Sequence, residues 1–106
     1  MVSFEEQPGV LRMSGDEDRS TQWRRRPSFS RAIRARADVV VDLSALHFAD
    51  ASLMVDLAVL AQRLRAHGRA LRLCNAQPHI RTLIEMVGLH RLPSISLDAG
   101  PALASA

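Results

Sequence analysis

At 106 residues, 47% of them hydrophobic, the chain is long enough for one core of ordinary size and too short for two domains. Its net charge is only +3, with eleven acidic residues interspersed among fourteen basic ones, which gives no ground for a nucleic-acid-binding surface. No stretch approaches the roughly 18 consecutive apolar residues of a membrane span, and Glu5 and Glu6 stand where a secretory signal is apolar, so a soluble cytoplasmic protein is expected.

Val2 to Glu6, the turn Gln7-Pro8-Gly9 and Val10 to Ser14 predict a hairpin of two short strands. After Gly15 the run Asp16-Glu17-Asp18 predicts an acidic turn. Phe29, Ala32 and Ile33 then recur at helical spacing, and because proline is best tolerated in a first helical turn, the helix is expected from Pro27 to Arg36. Just before it, Arg24, Arg25 and Arg26 have no interleaved aromatics to stack bases, and they read as a solvated helix entry.

Val39-Val40-Val41-Asp42-Leu43 is a β-branched run of the kind found in a strand buried on both faces, which predicts the centre of the sheet. A helix follows over Ser52 to His67, with Leu53, Leu57, Leu60 and Leu64 as its apolar stripe and Gly68 as its stop. Ala70 to Cys74 predicts another strand, and the lone Cys74 reads as a small buried side chain. Pro78 to Val87 predicts a third helix with Ile80, Leu83, Ile84 and Val87 on one face and Gly88 as stop, and Pro93 to Leu97 a last short strand. Strands alternating with helices predict an α/β domain, residues 1–97, built on a mostly parallel sheet; residues 98–106 are expected to form a flexible tail.

No glycine-rich phosphate loop is present, so no cofactor is expected. The histidines at 47, 67, 79 and 90 lack metal-ligand spacing, and no nucleophile elbow frames a serine, so neither a metal nor an enzyme is expected. Asp50-Ala51-Ser52 stands apart because it joins a strand to the first turn of a long helix. There Asp50 or Ser52 can cap orphan amides, or Ser52 can carry a phosphate that those amides and the helix dipole accommodate.

These residues resemble the STAS domain, shared by bacterial anti-sigma-factor antagonists and the cytoplasmic parts of sulfate transporters. VVVDLSALHFADASLMVDLAVL is similar to its buried strand and phosphorylation loop, and GRALRLCNAQPHIRTLIEMVGLHRL to its next strand, third helix and glycine-leucine ending. Gly15, Asp18 and Thr21 match its spaced glycine, aspartate and threonine. The resemblance implies a mixed, mostly parallel sheet of four or five strands covered by three or four helices.

The usual family loop is Asp-Ser-Ser-Gly with the second serine phosphorylated, which carries the aspartate onto Asp50 and the phospho-acceptor onto Ser52. Here Ala51 replaces the first serine, Leu53 replaces the glycine, and Arg24 to Pro27 replace the amphipathic start of the first helix. The resemblance implies an anti-sigma-factor antagonist that binds an anti-sigma-factor serine kinase while Ser52 is unphosphorylated, through Asp18, Thr21, Asp50, Ser52 and Leu53. The altered loop leaves open a regulatory subunit of a transporter or signalling assembly that is never phosphorylated. Whether the chain forms a homodimer is also left open.

Overall fold

The computed structural model describes residues 1–98. Strands β1 (Val2–Glu5) and β2 (Val10–Glu17) form an antiparallel hairpin, and α1 (Gln22–Arg34), β3 (Val39–Ala49), α2 (Ala51–Arg65), β4 (Leu71–Cys74), α3 (Pro78–Val87) and β5 (Ile95–Leu97) then alternate. The five strands lie in the order β1-β2-β3-β4-β5, and every pairing after the first is parallel. This is the α/β architecture expected, with three helices.

The central strand is covered on one face, not on two as Val39-Val40-Val41 suggested. Val39, Val41 and Leu43 are buried, whereas Val40 and Asp42 are half-buried and Ser44 is exposed. The strand order supplies the reason: each parallel crossover steps one place in the same direction, and crossovers of the usual right hand then put all their helices on one side. Two register shifts against β2 let β3 bend while keeping its apolar residues inward. Past them the buried positions become Leu46 and Ala49, and the paired residues Ser44-Ala45 and His47-Phe48 face out.

The helices differ from expectation mainly at α1, which starts five residues before Pro27. A 3-10 turn over Arg19–Thr21 leads into it, and Asp16 and Glu17 belong to β2, so only Asp18 remains of the expected acidic turn. Pro27 inside the helix deprives the Trp23 carbonyl of an amide partner, but both residues are exposed. Along α2 the stripe Leu53, Leu57, Leu60 and Leu64 is buried. Helix α3 has the expected bounds, and Gly88, at φ 75°, takes the left-handed cap. Val87, expected inward, is exposed in its last turn, and Leu89 beyond the glycine fills the core instead.

Arg69, only 9% exposed, locks the far end of α1. Its guanidinium donates to the carbonyls of Ala32, Ile33 and Ala37 at 2.9, 2.8 and 2.7 Å, satisfying acceptors that a helix C-terminus leaves free. Cys74 is buried as expected, and burial, with a hydrogen bond to Asp98, pushes its thiol up to about 11. Asp98 also pairs with Arg72 at 2.8 Å. The rest of the expected tail, residues 99–106, lies outside the described residues.

Candidate functional site

Parallel pairing brings the ends of β2 and β3 side by side, so that the two segments leaving them meet. Asp18 caps the 3-10 turn after β2: its carboxylate accepts from the Ser20 amide at 2.8 Å and the Ser20 hydroxyl at 2.6 Å, while the Thr21 hydroxyl accepts from the Asp18 amide at 3.0 Å. Asp50 caps α2 after β3, accepting from the Ser52 amide at 2.9 Å and the Ser52 hydroxyl at 2.5 Å on one oxygen. Its other oxygen accepts the Arg19 amide at 3.0 Å and so ties the two helix starts together.

Beneath this pair of caps lies Arg25, 1% exposed. The arginine run is therefore not a uniformly solvated helix entry: Arg24 and Arg26 face out and Arg25 faces in. Its Nε donates to Asp56 at 2.9 Å, and its Nη1 to Glu17 at 3.2 Å and to the Asp18 carbonyl at 3.1 Å. Its Nη2 donates to the Ser52 hydroxyl oxygen at 3.2 Å. Glu17 is itself 2% exposed and also accepts from the Thr21 hydroxyl and the amino group of Met1. Asp56 has a second donor in Gln22, at 3.1 Å.

Both caps hold their charge to lower pH than an ordinary aspartate. The Asp18 carboxyl lies below its ordinary value because the Ser20 hydroxyl hydrogen-bonds it, against smaller opposing effects of burial and of Asp50. For Asp50 burial acts upward, but the Ser52 hydroxyl and the amides of Arg19, Ser52 and Leu53 together outweigh it, and its carboxyl also ends below the ordinary value. The site is a partly exposed hydroxyl that donates to the Asp50 carboxylate, with one guanidinium aimed at its oxygen.

The sequence profile of the STAS domain matches residues 1–102. The chain belongs to the STAS domain family. The solved structure of the anti-sigma factor antagonist SpoIIAA in its unphosphorylated form is similar with a TM-score of 0.69 and 18% identity, over 99% of this chain and 92% of that one. The Bacillus cell fate determinant SpoIIAA in the phosphorylated form is similar with a TM-score of 0.63 and 24% identity, over 85% and 81%. Both likenesses lie in the fold. No protein of curated function matches the sequence.

In this STAS domain Asp18, Thr21, Asp50 and Ser52 meet at one end of the sheet, as expected, while Leu53 does not join them at the surface. It is 0% exposed, because the residue after Ser52 already points down the buried stripe of α2. The exposed side chains beside Ser52 are instead those of Arg19, Ala51 and Val55. Arg25, Glu17 and Asp56 were not anticipated as members of the site. Helical spacing held the signal for Arg25: four residues before Phe29 and seven before Ala32, it falls on the buried stripe of α1.

Proposed function

We propose that this STAS domain is a cytoplasmic anti-sigma factor antagonist, a regulator of transcription that acts by binding and not by catalysis, and that Ser52 is its switch. The observation that carries the reading is the division of labour at the start of α2. Asp50 supplies the cap, so the Ser52 hydroxyl is not needed for that purpose, and it stands half-exposed at a helix N-terminus. The fold shared with SpoIIAA, which has been solved in unphosphorylated and phosphorylated forms, supports the same reading.

In the unmodified state the hydroxyl-bearing surface binds the anti-sigma-factor serine kinase. Transfer of the γ-phosphoryl group of ATP forms a bond from the Ser52 Oγ to phosphorus, breaks the bond from phosphorus to the leaving ADP oxygen, and releases the hydroxyl proton. The phosphoserine carries roughly two negative charges into a contact complementary to a neutral hydroxyl, and desolvating them there opposes binding.

Incubation with anti-sigma-factor kinases and ATP, followed by mass mapping, tests the assignment. One phosphate on Ser52, absent from Ser52→Ala, is the expected result. Failure of every kinase that binds the domain to modify Ser52 would favour a fixed regulatory subunit of a transporter or signalling assembly.

A further inference from the structure

We propose that Arg25 is a built-in counter-ion for phosphorylated Ser52, a positioning residue that holds the phosphoryl group against the domain and keeps the modified form folded. The inference rests on Ser52 being the modified residue. Without a cation, the site is hostile to a phosphate: Asp50 touches the hydroxyl directly, and Asp56 and Glu17 share the guanidinium that reaches it. Two more negative charges would meet three carboxylates in a partly desolvated place. The guanidinium reverses that balance, because its Nη2 already lies 3.2 Å from the oxygen that becomes the phosphate ester. Nη2 carries two hydrogens, and phosphoryl oxygens attached to Oγ come within reach of both.

The surroundings allow Arg25 to be shared without stranding a buried charge. If the guanidinium turns toward the phosphate, Asp56 keeps the Gln22 amide at 3.1 Å, and Glu17 keeps the Thr21 hydroxyl at 3.0 Å. Arg25 is also fixed before modification, since its Nε and Nη1 are engaged and its side chain is buried. Little side-chain entropy is left to lose when the phosphate arrives.

The test installs phosphoserine at position 52 during synthesis, so that no kinase is required, and follows its second ionisation by phosphorus NMR. The wild-type chain is compared with a Glu17→Leu/Arg25→Met double variant, which removes the guanidinium and its most buried partner together. The double variant is expected to raise the second pKa by about one unit, a tenfold gain in proton affinity, even though it also loses a carboxylate. Arg25→Lys, which keeps the charge and loses the fork, should fall between. If the double variant does not fold, the same titration of the wild-type phosphoprotein with and without urea serves, with the folded value expected below the unfolded one. Equal pKa values in either comparison would overturn the role of Arg25. Loss of kinase recognition would bear only on the switch, because the phosphate in this experiment does not come from a kinase.

Discussion

Helix α1 is held at its two ends by two buried arginines that do opposite kinds of work. Arg69, at the C-terminal end, donates among the described residues to main-chain carbonyls alone, those of Ala32, Ile33 and Ala37. Arg25, near the N-terminal end, donates mostly to side chains on other elements: Glu17 of β2, Ser52 and Asp56 of α2. Main-chain carbonyls are neutral and cannot be titrated or modified, whereas carboxylates can be protonated and a hydroxyl can be modified. The same residue type is therefore a permanent clamp at one end of the helix and an adjustable one at the other, and the adjustable one lies under the candidate switch.

The largest effect is expected where the adjustable clamp is half removed. Arg25→Met alone removes the whole guanidinium, leaving the buried Glu17 only the Met1 amino group and the Thr21 hydroxyl, and should cost about 3 kcal/mol in denaturant titration. Adding Glu17→Leu should recover most or all of that loss. Arg69→Met should cost about 2 to 3 kcal/mol, and no second substitution at a partner should restore it, because the acceptors are backbone. A rescue of Arg69→Met as complete as that of Arg25→Met would erase the contrast between the two ends.

Smaller effects sharpen the view of the caps. Asp50→Ala should cost about 1 to 2 kcal/mol through loss of the α2 cap. Asp50→Asn should keep the cap on the Ser52 amide, lose the bond to the Arg19 amide, and alter the response to acid. In the fold the Asp50 carboxyl titrates below its ordinary value of 3.8, so its contribution is present above that value and fades as pH falls through the folded one. Thermal unfolding followed from roughly pH 5 to pH 3 should therefore fall less steeply for Asp50→Asn than for the wild type. Ser52→Ala, which removes one partly exposed hydroxyl, should shift stability by no more than about 1 kcal/mol.

Much of the fold was legible because local chemistry marked it. Pro78 and Gly88 bracket α3 so clearly that its bounds agree at both ends, and the leucine stripe of α2 needed only its 3.6-residue period. The central strand was placed correctly but its covering was not, since a β-branched run does not distinguish a strand with helices on both sides from one with a half-buried outer face. The grouping of Asp18, Thr21, Asp50 and Ser52 came from the resemblance to STAS domains, and the structure places all four where a strand gives way to a helix. What stayed hidden is tertiary: three adjacent arginines look alike until the helix assigns them faces. The partner of the inward one, Glu17, lies on the inward alternation of Leu11 and Met13, where an acidic residue reads more readily as a turn. Leu53 was misplaced for a related reason, because its position in the loop motif outweighed its position on the apolar stripe.

If Ser52 is the proposed switch, a phosphate on it weakens partner binding without unfolding the domain, and calorimetry on the chain with and without phosphoserine at that position measures both. Any anti-sigma-factor kinase found to modify Ser52 serves as the partner, and thermal unfolding of both forms is measured alongside. The phosphorylated form is expected to bind at least about a hundredfold more weakly, a difference of nearly 3 kcal/mol, while its unfolding temperature stays within a few degrees of the unmodified form. Equal affinity of the two forms, or loss of binding only because the phosphorylated domain has unfolded, would contradict the proposed switch.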